Sequence, residues 1–137
     1  METNKLYNIA ENNGITVDFF DLEQNPAVSL MLGDKGFIAM SKKLCSGSAK
    51  ERVALAHEIG HHAAGAFYTA DAPVLSRRKK EKIADRFAIE LLVPYGELMS
   101  AAADGDQSVS FLAERFGVTE DFMQKAIRYY LEKMSVR

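Results

Sequence analysis

His57, Glu58 and His61 stand in the run His57-Glu58-Ile59-Gly60-His61, the pattern H-E-x-x-H. On a helix, four residues advance the chain by about 400°, so both imidazoles share one face about one turn apart and can meet one zinc ion. Glu58 lies about 100° from His57 and about 60° from His61, beside that stripe. From there its carboxylate can reach a water on the metal without ligating the metal, which is the position of a general base. Five-residue patterns also arise by chance on surface helices. Here all three histidines of the chain fall between positions 57 and 62. An independent signal puts them on a helix: Ser48-Ala49-Lys50-Glu51 has the S-x-x-E form of a capping box just ahead of Val53.

A catalytic zinc takes three protein ligands and leaves one position open. No histidine follows His62, so the third ligand must come from elsewhere, and the next helix, from about Ser76 to Val93 and stopped by Pro94, offers two carboxylates. At about 100° per residue, Glu81, Ala84, Asp85, Ala88 and Leu92 form one stripe, with Lys79, Lys82, Arg86 and Glu90 opposite. Acids on an apolar face are costly unless paired or metal-bound. Glu81 as third ligand and Asp85 as hydrogen-bond partner of a ligand imidazole account for both. Pairing of Glu81 with Arg77 or Arg78 at the surface is the plainer alternative. His62 sits about 100° around the helix from His61 and reads as a packed histidine. Gly60 and Gly65 are poor helix-interior residues; close approach of another segment at Gly60 and a helix end near Gly65 explain them.

The elements that must position these groups follow from periodicity. Lys5 to Asn12 has helical spacing and stops at Asn13-Gly14. Ile15 to Phe19 alternates as a strand, and Val28–Leu32 and Phe37–Met40 form a hairpin around Gly33-Asp34-Lys35-Gly36. After the metal helices, Pro94 opens a helix through Leu98 and Met99, broken at Asp104-Gly105-Asp106. Two more, Ser110–Phe116 and Thr119–Met134, are joined by Gly117-Val118. The fold class is therefore α+β, a small antiparallel or mixed N-terminal sheet on a helical core that carries the H-E-x-x-H helix, closed by a helical hairpin.

At this level the chain resembles the ImmA/IrrE family of metallopeptidases. The resemblance is carried by the H-E-x-x-H motif and by Glu81-Lys82-Ile83-Ala84-Asp85-Arg86-Phe87-Ala88-Ile89-Glu90-Leu91-Leu92-Val93-Pro94, which is similar to the family's E-x-x-A-(N/D)-x-F-A-x-x-L-L-x-P block. Leu112-Ala113-Glu114-Arg115-Phe116-Gly117-Val118 is similar to family members in order and spacing. The resemblance implies a zincin-like fold, one zinc per chain on His57, His61 and Glu81, and Glu58 as catalytic base. It also implies a protein substrate, a helix-turn-helix repressor of a mobile element. Tyr68 and Tyr95, close in sequence to the two metal helices, are candidates to stabilise an oxyanion and equally fit as packed aromatics.

Composition limits the alternatives. A chain of 137 residues, 47% hydrophobic and 26% charged, suits one domain over 1–137, with a helical part from about 95. Seventeen Lys and Arg against nineteen Asp and Glu argue against holding nucleic acid or an anionic membrane by bulk charge. The single cysteine, Cys45, excludes an internal disulfide and has no catalytic partner nearby in sequence. The chain starts without the order of a signal peptide, and no apolar run reaches the ~20 residues of a membrane span, so a soluble cytoplasmic protein is expected.

Two rival functions stand beside the peptidase. One is a DNA-binding regulator using the closing helices. Its recognition helix would open with Thr119-Glu120-Asp121, acids that repel phosphates but suit a helix N-terminus, so a structural hairpin is the better reading. The other is a metal-binding protein that binds a repressor without cutting it. The run Arg77-Arg78-Lys79-Lys80 reads as a solvated helix face. Cations near a helix N-terminus are unfavourable, which leaves substrate docking open.

Overall fold

The computed structural model describes residues 1–105 and 107–134. Helix α1 (Thr3–Asn12) leads into three strands, β1 (Ile15–Phe20), β2 (Ala27–Leu32) and β3 (Lys35–Ser41). Five helices follow: α2 (Ala49–Ala63), α3 (Val74–Leu92), α4 (Tyr95–Asp104), α5 (Val109–Phe116) and α6 (Glu120–Lys133). The α+β architecture is as expected: a small mixed sheet packed on helices, with the H-E-x-x-H motif on α2 and a hairpin of α5 and α6 at the end. Among the described residues no helix is long and apolar enough to cross a membrane.

The sheet has the order β1-β3-β2, with β1 parallel and β2 antiparallel to β3. Strand β2 is thus an edge strand. The β2–β3 turn is tighter than its four-residue signal: Leu32 pairs with Lys35, leaving only Gly33 and Asp34 in the loop. Gly33 takes φ +67° as the first loop residue, a conformation that Gly adopts without penalty, and Lys35 and Gly36 join β3. Gly36 has its own reason to lack a side chain. A Cβ there would come within 2.8 Å of His62 Nδ1.

Helix α2 opens as the S-x-x-E pattern requires, with Ser48 Oγ accepting from Glu51 N. Glu51 departs from a simple capping box. Its Oε1 accepts from Gly47 N at 2.8 Å and its Oε2 from the Tyr7 hydroxyl at 2.8 Å, which ties α1 to the start of α2. The helix ends in a Schellman arrangement. Gly65 has φ +61°, its amide donates to His62 O, and the Ala66 amide donates to His61 O.

Helices α2 and α3 cross at Gly60. A Cβ on Gly60 would stand 2.7 Å from Ala84 O and 3.1 Å from Ala84 Cα, so only hydrogen lets the two backbones approach this closely. Gly60→Ala is expected to lower stability by about 1–3 kcal/mol, because the overlap is with backbone and must push α3 away. Urea unfolding should show a lower midpoint at unchanged slope.

Pro94 proves to be the N-cap of α4 rather than its first helical residue, and Gly105 follows its end. Asp106, the last residue of the expected break, lies outside the described residues. One apolar core links Leu6 and Ala10 of α1, Ile38 and Met40 of β3, Leu55 and Ile59 of α2, Ile89 and Leu92 of α3, and Met123 and Ala126 of α6. Buried Arg52 fastens α2 to both ends of the chain. Its Nε donates to Gly117 O at 2.9 Å and its guanidinium donates to Thr3 Oγ1 at 3.2 Å.

Candidate metal centre

The close crossing at Gly60 sets the inner faces of α2 and α3 against each other, and the metal-binding side chains meet there. His57 Nε2 lies 2.7 Å from Glu81 Oε1, and His61 Nε2 lies 3.1 Å from Glu81 Oε2 and 3.2 Å from His57 Nε2. One donor atom from each of the three residues falls within 4.8 Å of the others. The surface pairing of Glu81 with Arg77 or Arg78 is not what forms.

The outer nitrogens of the two rings are engaged elsewhere. His57 Nδ1 is 2.8 Å from Asp85 Oδ1, and buried His61 donates from Nδ1 to Ala66 O at 2.6 Å. Both acceptors hold a proton at Nδ1, so both Nε2 atoms turn their lone pairs toward one point beside a carboxylate. Such a cluster repels itself unless a cation lies within it. Two imidazole nitrogens and one carboxylate are also a donor set of catalytic zinc sites, with room left for a fourth partner. The residues therefore fit a metal ion. In the metal-free chain a proton competes for that part. Burial alone would lower the His57 pKa, but the hydrogen bond and charge of Asp85, joined by Glu58 and Glu81, outweigh it and hold the pKa above the ordinary value.

Glu58 stands beside the triad and outside it. It is buried, and Ser29 Oγ of edge strand β2 donates to its Oε1 at 2.7 Å. Burial raises its carboxyl pKa, against the lowering effects of Ser29, His57 and His61. A cleft of about 750 Å³ runs from His57, Glu58, Glu81 and Asp85 past Pro26 and Leu44 to Phe122 at the start of α6.

Glu81 and Asp85 both favour their ionised forms. Burial would raise both, yet both pKa values are lowered: Glu81 by the Tyr68 hydrogen bond and by His57 and His61, Asp85 by His57 and Lys125. The Tyr68 hydroxyl donates to Glu81 Oε2 at 2.7 Å, and this bond pushes its own pKa to about 12, leaving it a neutral donor. Tyr68 is therefore part of the site. Tyr95 is not: its ring lies 5.3 Å from that of Tyr130. His62 turns away from the triad, donating toward Phe37 O at 3.3 Å and meeting the Phe67 ring edge-on.

Residues 10–128 match the family model described as the IrrE N-terminal-like domain. The chain belongs to that family. The IrrE N-terminal-like fold is also found in a solved Mycobacterium tuberculosis transcriptional regulator, with a TM-score of 0.63 and 18% identity. That alignment covers 86% of this chain and 38% of the regulator, so this chain spans well under half of the regulator's length. Comparison with curated proteins gives no match.

Around the IrrE-like triad, three supporting groups escaped sequence reasoning, and a fourth, Tyr68, was a candidate for a different role. Ser29 carried a signal, since it is the one polar residue in the strand Ala27-Val28-Ser29-Leu30-Met31-Leu32. The Ala66 carbonyl follows from the helix stop at Gly65. Tyr68 was in view only by its closeness in sequence. Lys125, whose Nζ lies 3.1 Å from Asp85 Oδ2, comes from α6, forty positions away, and had no local signal. Through Lys125 and Phe122 the would-be recognition helix of a DNA-binding hairpin is turned onto the metal cleft.

Proposed function

We propose that this chain is a zinc-dependent metallo-endopeptidase that cuts a helix-turn-helix transcriptional repressor of a phage or mobile element at one site, in the cytoplasm. The observation that carries the peptidase reading is the convergence of His57, His61 and Glu81 donor atoms within 4.8 Å, with Glu58 on the wall of the same cleft. Zinc held by His57, His61 and Glu81 supplies Lewis acidity toward a peptide carbonyl and a water molecule.

The remaining work falls to the chain's own groups. Glu58 Oε1 is held by Ser29, and its other oxygen takes a proton from water as the water oxygen adds to the peptide carbon. The same carboxyl then gives the proton to the amide nitrogen as the C–N bond breaks. Asp85 keeps His57 in the Nδ1-protonated form, and the Ala66 carbonyl does so for His61, so both Nε2 atoms remain ligands. Tyr68 steadies Glu81. Asp85→Ala is accordingly expected to weaken zinc binding by about 10–100-fold, read by competition with a chelating dye. Unchanged affinity would remove Asp85 from the site.

The choice of a repressor as substrate is supported by the ImmA/IrrE resemblance and by a fold shared with a transcriptional regulator. The test is incubation of the zinc-loaded chain with the repressor encoded beside its gene. Two fragments are expected from the parent chain and none from Glu58→Gln. A repressor that stays whole, while other polypeptides are cut, would replace the substrate but not the chemistry.

A further inference from the structure

The first turns of α3 carry Arg77, Arg78, Lys79, Lys80 and Lys82, and among the described residues none of the five forms an ion pair. The end of the helix that holds them already bears positive potential from free backbone amides, has no side-chain cap and has no acid in its first turn. Arg77 Nε is buried without a hydrogen-bond partner. Val74 is 54% and Leu75 68% exposed beside them. Uncompensated local conflicts of this kind collect at functional surfaces.

Their placement says which function. Arg77, Arg78, Lys79 and Lys82 line a concavity of about 630 Å³ together with Val74 and Leu75 and with Tyr68, Glu81 and Asp85 of the metal centre. Lys82 and Asp85 also line a second concavity, of about 640 Å³, with Arg86 and Arg128. A basic track therefore leaves the metal centre along α3 and α6, on a chain whose net charge is −2.

We propose that this track is the docking surface for an acidic stretch of the polypeptide substrate, adjoining the bond to be cut. The proposal rests on the peptidase reading and adds its substrate class. A polypeptide fits better than a nucleic acid, because the basic residues share their concavity with the apolar side chains of Val74 and Leu75, which a phosphate backbone would leave without a partner. Exposed Val74 and Leu75 offer apolar contact that a peptide side chain can use.

The test uses zinc-loaded Glu58→Gln, so that binding is read without turnover, and a short fluorescent peptide of Glu, Ala and Ser beside its counterpart with Gln for Glu. At about 50 mM salt the Glu peptide is expected to bind about tenfold tighter, and the preference to shrink as salt rises. R78E/K79E/K82E in that background should abolish the preference with its thermal melt retained; if it does not fold, R78Q/K79Q/K82Q takes its place. Equal binding of both peptides, or undiminished binding by the folded variants, overturns the proposal. So does a random DNA duplex that binds more tightly than the Glu peptide.

Cleavage is read separately with the parent chain on quenched peptides flanked by Glu or by Gln. Faster turnover of the Glu-flanked peptide supports the proposal, and equal turnover overturns it while leaving the peptidase standing. If neither peptide nor the repressor is cut while the Glu peptide still binds at this face, the peptidase reading falls and the acidic-peptide surface stays.

Discussion

Glu58→Gln is expected to reduce peptide cleavage by about 10²–10⁴-fold while the chain keeps its metal and its fold. The amide is nearly isosteric with the carboxylate, and its oxygen can still accept from Ser29, whose Oγ lies 2.7 Å from Glu58 Oε1. What it lacks is basicity. It can neither take a proton from water nor return one to the leaving nitrogen. Metal content should not change, because Glu58 is not one of the three converging ligands. The check is turnover of the repressor beside zinc per chain by mass spectrometry. Undiminished turnover would remove Glu58 from the chemistry, and loss of zinc would show that it is a ligand after all.

The second large effect belongs to Glu81. Glu81→Ala should bind less than one zinc per chain, since it leaves two imidazoles where three donors stood and removes the negative charge between them. Zinc at about a hundred times its dissociation constant adds about 2.7 kcal/mol to the parent's stability, and most of that zinc-dependent increment should vanish in the variant. The increment is the quantity to compare, because Glu81 also bonds Tyr68 and His57 and its loss alters the metal-free chain too.

The sign of the pH dependence follows from His57. Its raised pKa means that the metal-free cluster holds a proton to higher pH than an ordinary imidazole does, and zinc competes with that proton. Parent affinity should therefore fall as pH falls, beginning above the ordinary histidine value of 6.5. Titration of zinc affinity against pH checks this, and a flat profile across that range would overturn it.

Helix periods made much of the site legible in advance. His57 and His61 are one helical turn apart, and Glu81 and Asp85 share a stripe with Ala84 and Ala88; both relations are angles within one element. The helix stop at Gly65 and the close approach at Gly60 could be anticipated because glycine is costly inside a helix. Boundaries shifted only slightly, as at Gly33-Asp34, where pairing across the strands absorbed half of the turn signal.

Other parts had no such local trace. The parallel pairing of β1 with β3 joins two strands that β2 separates in the chain, a partnership that no period of a single strand encodes. The same holds for Arg52, a charged residue on a helix by its sequence, yet buried because the carbonyl of Gly117 and the hydroxyl of Thr3 come to it from opposite ends of the chain.

The sequence by itself determined the metal chemistry of this protein: the ligand types, their spacing on two helices, and the carboxylate set beside them. Those are matters of covalent order and helical pitch, which are local. Only the tertiary structure decided how the ligands are aimed and what surrounds them. Asp85 and the Ala66 carbonyl orient the imidazoles, Ser29 reaches Glu58 from an edge strand, Lys125 reaches Asp85 from the last helix, and the basic residues of α3 border a concavity that has Tyr68, Glu81 and Asp85 in its wall. Each of these joins elements distant in the chain, and their meeting is set by the packing of the common core rather than by any sequence period.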